Sequence, residues 1–126
     1  MKPSKFQFIN PYLMEVNYKI NSDFNADEIE LKNSFDIQVK RSDDKNRANV
    51  ALTLNVNAEN ENAPFMLKIK VASDFKWEDL DDKTVESMLK FNAPALLLGY
   101  MRPIVASITN SSNLPTYNLP FINFKE

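Results

Sequence analysis

The sequence predicts an α+β subunit: a four-stranded antiparallel meander sheet, with a short helix and a long kinked helix packed on one face. Three observations lead there. Four segments between Phe6 and Phe75 alternate apolar and polar side chains with period two, the mark of strands with one buried face. From Leu80 to Ser111 the apolar spacing becomes helical. The connections between the later strands are short, so sequential strands are expected to pair antiparallel.

The first strand opens at Phe6 and sets Phe8, Tyr12, Met14, Val16, Tyr18 and Ile20 on even positions, with Ile9 and Leu13 breaking the alternation. The second carries Ile29, Leu31, Phe35, Ile37 and Val39 between polar neighbours. Val50, Leu52, Leu54 and Val56 make the third, and Phe65, Leu67, Ile69, Val71 and Phe75 the fourth. Asn21 to Asp27 joins the first two strands, and the runs SDDKNR and AENENAP have the length and chemistry of hairpin turns. Asp43 and Asp44 read as turn residues.

Leu80, Thr84, Val85, Met88 and Leu89 fall on one helical face. Asp79 is the expected cap, with Asp81 and Asp82 at the positive end of the helix dipole. Asn92 is the expected cap of the next helix, with Pro94 in its first turn and its end near Ser111. Gly99 and Pro103 lie inside it, and a proline removes a backbone donor, so a kink or break is expected near Gly99. From Ala93 to Ala106 only Arg102 is charged, which leaves no polar face of the kind a surface helix needs. After the helix, Pro115 and Pro120 keep the chain extended. This tail nevertheless holds Leu114, Tyr117, Leu119, Phe121, Ile122 and Phe124.

Size makes that apolar surplus meaningful. Strands of ~14 residues run to roughly 45 Å, and four abreast span roughly 15–19 Å. One helix is about 10 Å across and cannot cover such a face. The short helix, the tail, another subunit or a bound chain must cover the rest.

Composition narrows the function. The 126 residues form one domain, 1–126, with a net charge of −2 and both signs interspersed. No basic stripe suggests nucleic acid and no polybasic run suggests a membrane surface. The start, MKPSKFQFINPYLMEV, is interrupted by Gln7, Asn10, Pro11 and Glu15, so neither a signal peptide nor a membrane-inserted span is expected, and the cytoplasm is the default location. Cysteine and histidine are both absent, which removes thiolate chemistry and the commonest acid/base and metal ligand. Gly99 is the single glycine, so no Gly-rich phosphate loop exists. No enzyme activity, cofactor or metal is expected. The acids Glu78, Asp79, Asp81 and Asp82 are better read as helix-start residues than as oxygen ligands.

Two features keep alternatives open. Arg102 is either a buried, paired arginine at a subunit contact, the favoured reading, or a rim residue snorkelling past apolar neighbours. Tyr117, Phe121 and Phe124 either fill the core or line a groove.

The segment from about Glu86 to Phe124 resembles the SecB export-chaperone family. It carries an asparagine-flanked proline at Pro94, an aromatic-x-Arg step at Tyr100 and Arg102, and the tail pattern P-x-x-N-L-x-x-x-N-F at Pro115, Asn118, Leu119, Asn123 and Phe124. Phe6 and Gln7 also match the opening of the family's first strand. About a third of the chain carries the motifs, and the remainder agrees in architecture.

The resemblance implies a four-stranded sheet with a long helix, assembled as a dimer or dimer of dimers. It implies a holdase that keeps non-native or pre-export polypeptides soluble without ATP, with client aromatics in pockets and client backbone along an edge. On this reading Phe65, Leu114, Tyr117, Leu119, Phe121 and Phe124 meet clients. Leu96, Leu97, Tyr100, Met101, Arg102 and Ile104 meet a second subunit. The sequence departs from the family where Lys19 stands in place of a carboxylate and only Glu15 lines up with the acidic face that meets the motor SecA. Gly99 replaces a proline, Pro103 is added, and the chain stops at Glu126. Weak or no contact with SecA is therefore expected. A chaperone dedicated to a toxin–antitoxin system is the alternative, and a purely structural oligomer is the rival from another class.

Overall fold

The computed structural model describes residues 2–24, 30–42, 46–58 and 60–125. The expectations placed on Asp27, Ile29, Asp43 and Asp44 lie outside these residues, as does Glu59 within the third connection. Four strands form one sheet: β1 (Phe6–Ile20), β2 (Asn33–Arg41), β3 (Arg47–Val56) and β4 (Phe65–Trp77). All neighbouring strands are antiparallel. The apolar positions of β3 and β4 meet the expectation closely: Val50, Leu52, Leu54, Val56, Ile69, Val71 and Phe75 are completely buried.

The order across the sheet is β1-β4-β3-β2, so the expected meander holds only for β2, β3 and β4. β1 does not pair with β2. Both edges of β3 are taken by its hairpin neighbours, which leaves the outer edges of β2 and β4 for β1 to choose between. Residues 21–32 are a connection long enough to cross the sheet's end, as in a Greek key. β4 is also the better match in length and chemistry. It lets Phe6 stack on Phe75 and Trp77 with ring centroids 5.2 and 6.0 Å apart, and Phe8 pack on Phe75 at 5.3 Å.

The broken alternation in β1 has a structural cause. The pairing with β4 shifts twice, between Ile9 and Tyr12 and again between Leu13 and Glu15. Asn10 adopts a left-handed φ of 50°, and Pro11 has no N–H to lose, so the first bulge sits where the sequence tolerates it. One extra residue turns Leu13 toward the helical layer and Tyr12 to the opposite face. The second bulge restores the original parity for Val16, Tyr18 and Ile20. Tyr12 and Met14 therefore do not share the face of Phe8.

Helix α1 (Asp82–Ser87) runs through a π-helical turn at Met88–Asn92 into helix α2 (Ala93–Asn110). The cap is Asp81, whose carboxylate accepts the Thr84 N–H at 2.9 Å, and not Asp79, which sits at a left-handed φ of 52°. Asn92 is no cap either: it is helical and its side chain caps nothing. Pro94 explains the wide turn. It cannot donate to the carbonyl four residues back, and the N–H of Ala93 reaches five residues back to Met88 instead. The expected break near Gly99 is absent, because α2 is helical throughout. Gly99 and Pro103 lie on its exposed side, where the carbonyl deprived of a donor is open to water.

Helix α2 buries Leu97, Leu98, Met101 and Val105 against the sheet. The tail that follows has no regular structure. It packs near the start of β2 and β4, and its Leu119, at 1% exposure, belongs to the core. Apolar surface remains open along β1, where Leu13, Val16 and Ile20 are each about two-fifths exposed (43%, 40% and 38%). The helical layer thus leaves the far edge of the sheet uncovered, as the size argument requires.

Candidate functional site

The tail is fixed by hydrogen bonds at several points. The Thr109 hydroxyl donates to the Val105 carbonyl inside α2 and accepts the Tyr117 N–H at 2.8 Å, tying the two segments together. Tyr18 of β1 reaches Ser112 at 3.0 Å. Asn33 of β2 donates its side-chain N–H to the Tyr117 hydroxyl. Arg102 donates from Nε to the Leu119 carbonyl at 2.7 Å, and its guanidinium lies 3.9 Å from the centre of the Phe121 ring. Phe124 closes edge-on against Phe35 at 5.7 Å.

This geometry sorts the proposed client residues. Phe65, Leu114 and Tyr117 come together, with Leu31, Pro64, Pro115 and Thr116, around a depression of about 110 Å³. An apolar cavity of ~150 Å³ accepts a benzene ring, so this one has room for a single aliphatic side chain. Phe65 is also a wall of a wider cleft of about 440 Å³, lined on its other side by Ile20, Asn21, Ala63 and Met66. Phe65 itself is 4% exposed, and Leu119 is more deeply buried still. Leu119 is therefore corrected from a client contact to a core residue: its side chain is spent on the sheet. Phe124 is half-buried on Phe35. Phe121 is the outlier at 80% exposure, held outward under Arg102 and away from the small depression.

The residues proposed for a second subunit divide in the same way. Leu97 and Met101 have no exposed surface within the subunit, so neither can touch a partner, and both are corrected to core. Leu96 is 45% exposed, while Tyr100, Arg102 and Ile104 are half-buried. Arg102 finds its contacts in its own tail, so the pairing once expected at a subunit contact is made inside the chain.

Sequence reasoning missed the polar residues that hold the site together. Asn57, 3% exposed with φ at 57°, accepts the Lys32 N–H at 3.0 Å and donates to the Phe65 carbonyl at 3.1 Å. It clamps the start of β2 and of β4 beside the depression. The left-handed preference of asparagine was its only signal. Leu31, Pro64 and Thr116 carried none, because each gains its role from a neighbour distant in sequence. Among the described residues, no three acidic, histidine or cysteine side chains are placed to hold a metal ion. Hydrogen bonds from Thr84 hold the Asp81 carboxyl below its ordinary value.

The model of the family described as "Preprotein translocase subunit SecB" matches residues 5–126. The chain belongs to the SecB family. Curated SecB relatives include the protein-export protein SecB of Anaplasma phagocytophilum, 33% identical over 79 residues, which are 60% of this chain and 50% of that one. The Cellvibrio japonicus SecB is 36% identical over 76 residues, 60% of this chain and 46% of its own. These matches span about half the length of those two relatives. SecB of Ehrlichia chaffeensis is 24% identical over 98% of this chain and 75% of its own length.

Among solved structures, a Mycobacterium tuberculosis SecB-like chaperone in complex with a ChAD peptide from the HigA1 antitoxin superposes with a TM-score of 0.73 at 15% identity. That superposition covers 94% of this chain and 88% of that one. A protein of unknown function from Streptococcus agalactiae superposes at 0.53 and 12% identity, over 95% of this chain and all of the other. The shared fold is the α+β one: a four-stranded antiparallel sheet with a long helix.

Proposed function

We propose that the chain is an ATP-independent holdase, binding unfolded or pre-export polypeptides through apolar grooves and performing no catalysis. The observation that supports this most directly is the apolar depression around Phe65, Leu114 and Tyr117 in a chain of the SecB family. The wider cleft beyond Phe65 continues it, so an extended client has a place for one aliphatic side chain and a track beside it. The uncovered apolar surface of β1 and the outer side of α2 fit self-assembly into a dimer or dimer of dimers in the cytoplasm. The test is aggregation of a reduced, unfolded model protein. A several-fold excess of the chain should suppress light scattering without nucleotide; unchanged scattering would count against a general holdase.

A chaperone dedicated to a toxin–antitoxin system is the second reading. It is favoured by the structural likeness to a SecB-like chaperone seen with an antitoxin peptide. A neighbouring toxin–antitoxin gene pair, and protection of that antitoxin on co-expression, would support it over a general export role. Firm binding of SecA would support export instead, and weak or no binding is expected.

A further inference from the structure

We propose that the solvent-facing side of the sheet is a docking surface for an acidic polypeptide segment. The strand register sets six cations on the face turned away from the helices: Lys19, Lys40, Arg47, Lys68, Lys70 and Lys76. They face three carboxylates on the same surface, Glu15, Asp36 and Asp74, so the described strands carry a positive surplus in a chain whose net charge is −2. Lys68 pairs with Glu15 at 3.3 Å, and it is the one ion pair among the described residues.

The cations form two groups. Lys19, Lys68 and Lys70 lie toward one end of the face, and Lys40, Arg47 and Lys76 toward the other. Arg47 stands directly opposite Lys76 in the ladder. Like charges in that position repel at short range, and an anionic partner would relieve them. Between the groups the surface is uncharged, with Tyr12 in register with Ala72 and Ala51. Lys68 and Lys76 are separated along β4 by roughly 26 Å at ~3.3 Å per residue. An extended segment of about 10 residues with acids at both ends would reach both groups.

Polypeptide fits this surface better than the other polyanions. The three carboxylates would repel an unbroken phosphate backbone, and a single exposed tyrosine is no stacking platform. A segment of protein can place its acids opposite the two groups and leave neutral residues against the centre. This docking is separable from the holdase reading, since it uses the opposite face of the sheet. It meets the client cleft only at its rim, where Lys19 and Met66 border both, and neither is altered in the test below.

The test is fluorescence anisotropy with a labelled peptide of alternating Glu and Ser, about 10 residues long to match the span. The wild-type chain should bind at low salt and release the peptide as salt rises. The pairs Lys68→Glu/Lys70→Glu and Arg47→Glu/Lys76→Glu should each weaken binding at least about tenfold. The pair Lys83→Glu/Lys90→Glu, on the helical layer, should leave it unchanged. Circular dichroism establishes folding, and Lys70→Gln/Lys76→Gln replaces any pair that fails to fold. No binding, equal loss in the helical-layer pair, tighter binding of an oligonucleotide or of anionic vesicles, or salt-sensitive self-association in place of peptide binding would each overturn the proposal.

Discussion

Leu119 and Phe121 lie two residues apart in the tail and carry opposite burdens. Leu119 is in the core, and removing its buried atoms leaves a void that a packed interior cannot fill. Leu119→Ala should cost about 2–5 kcal/mol in denaturant unfolding. Phe121 is mostly in water and rests on Arg102. Phe121→Ser should shift stability by no more than about 0.5 kcal/mol, yet raise the excess of chain needed to suppress client aggregation. Equal performance of Phe121→Ser and wild type in the scattering assay would remove Phe121 from the client surface. The two residues were indistinguishable in the sequence, since both are large and apolar in the same irregular tail. Their fates depend on where α2 stands, and Arg102 fixes that by gripping the carbonyl between them.

At the scale of the element, α2 offers one position open to a clean measurement. A methyl group at Gly99 would meet nothing within 4 Å, and glycine inside a helix costs roughly 0.5–1 kcal/mol relative to alanine. Gly99→Ala should raise stability by that amount if the subunit's outer helix face is free. A loss of stability would mean that another subunit packs there. Helix α1 responds to pH through Asp81. Its folded pKa lies below the ordinary value because Thr84 donates to the carboxylate. The cap therefore contributes fully above about pH 4, the ordinary aspartate value. Its contribution fades as the pH falls through the lower folded value. Asp81→Ser should flatten that acid limb in a pH series of thermal unfolding. The strands were legible because period two is a local signal, whereas the π-helical turn was not. It arises from Pro94 meeting a helix that begins before it, and the sequence offered Asn92 as a plausible fresh start.

For the whole molecule, the fold class could be read from patterning, but the order of strands could not. Hydrophobic alternation says which face of a strand is buried and nothing about its neighbour. The choice of β4 over β2 for β1 rests on aromatic pairs between Phe6, Phe8, Phe75 and Trp77 that form only once the sheet exists. The site followed the same rule: Phe65, Leu114 and Tyr117 were picked individually, and the depression they share was made by the tail folding back. Assembly is the property best tested at this scale. Leu96 is 45% exposed on the outer side of α2. Leu96→Glu should leave the fold's circular dichroism unchanged and shift sedimentation toward smaller species. Unaltered sedimentation would place the subunit contact elsewhere.

The paired bulges in β1 give this strand a genetic property of its own. Each bulge absorbs one extra residue, so it changes which sequence parity faces the core while the pairs beyond it stay in register with β4. Losing the one codon that a bulge adds, at Pro11 or Met14, would therefore close that bulge and leave both flanks correctly faced. Losing one codon from the regular stretch Val16–Tyr18 would instead turn the end of the strand inside out. Single-codon deletions should be tolerated at the two bulges and rejected in the flanks, so this rim strand carries two spare letters in its text.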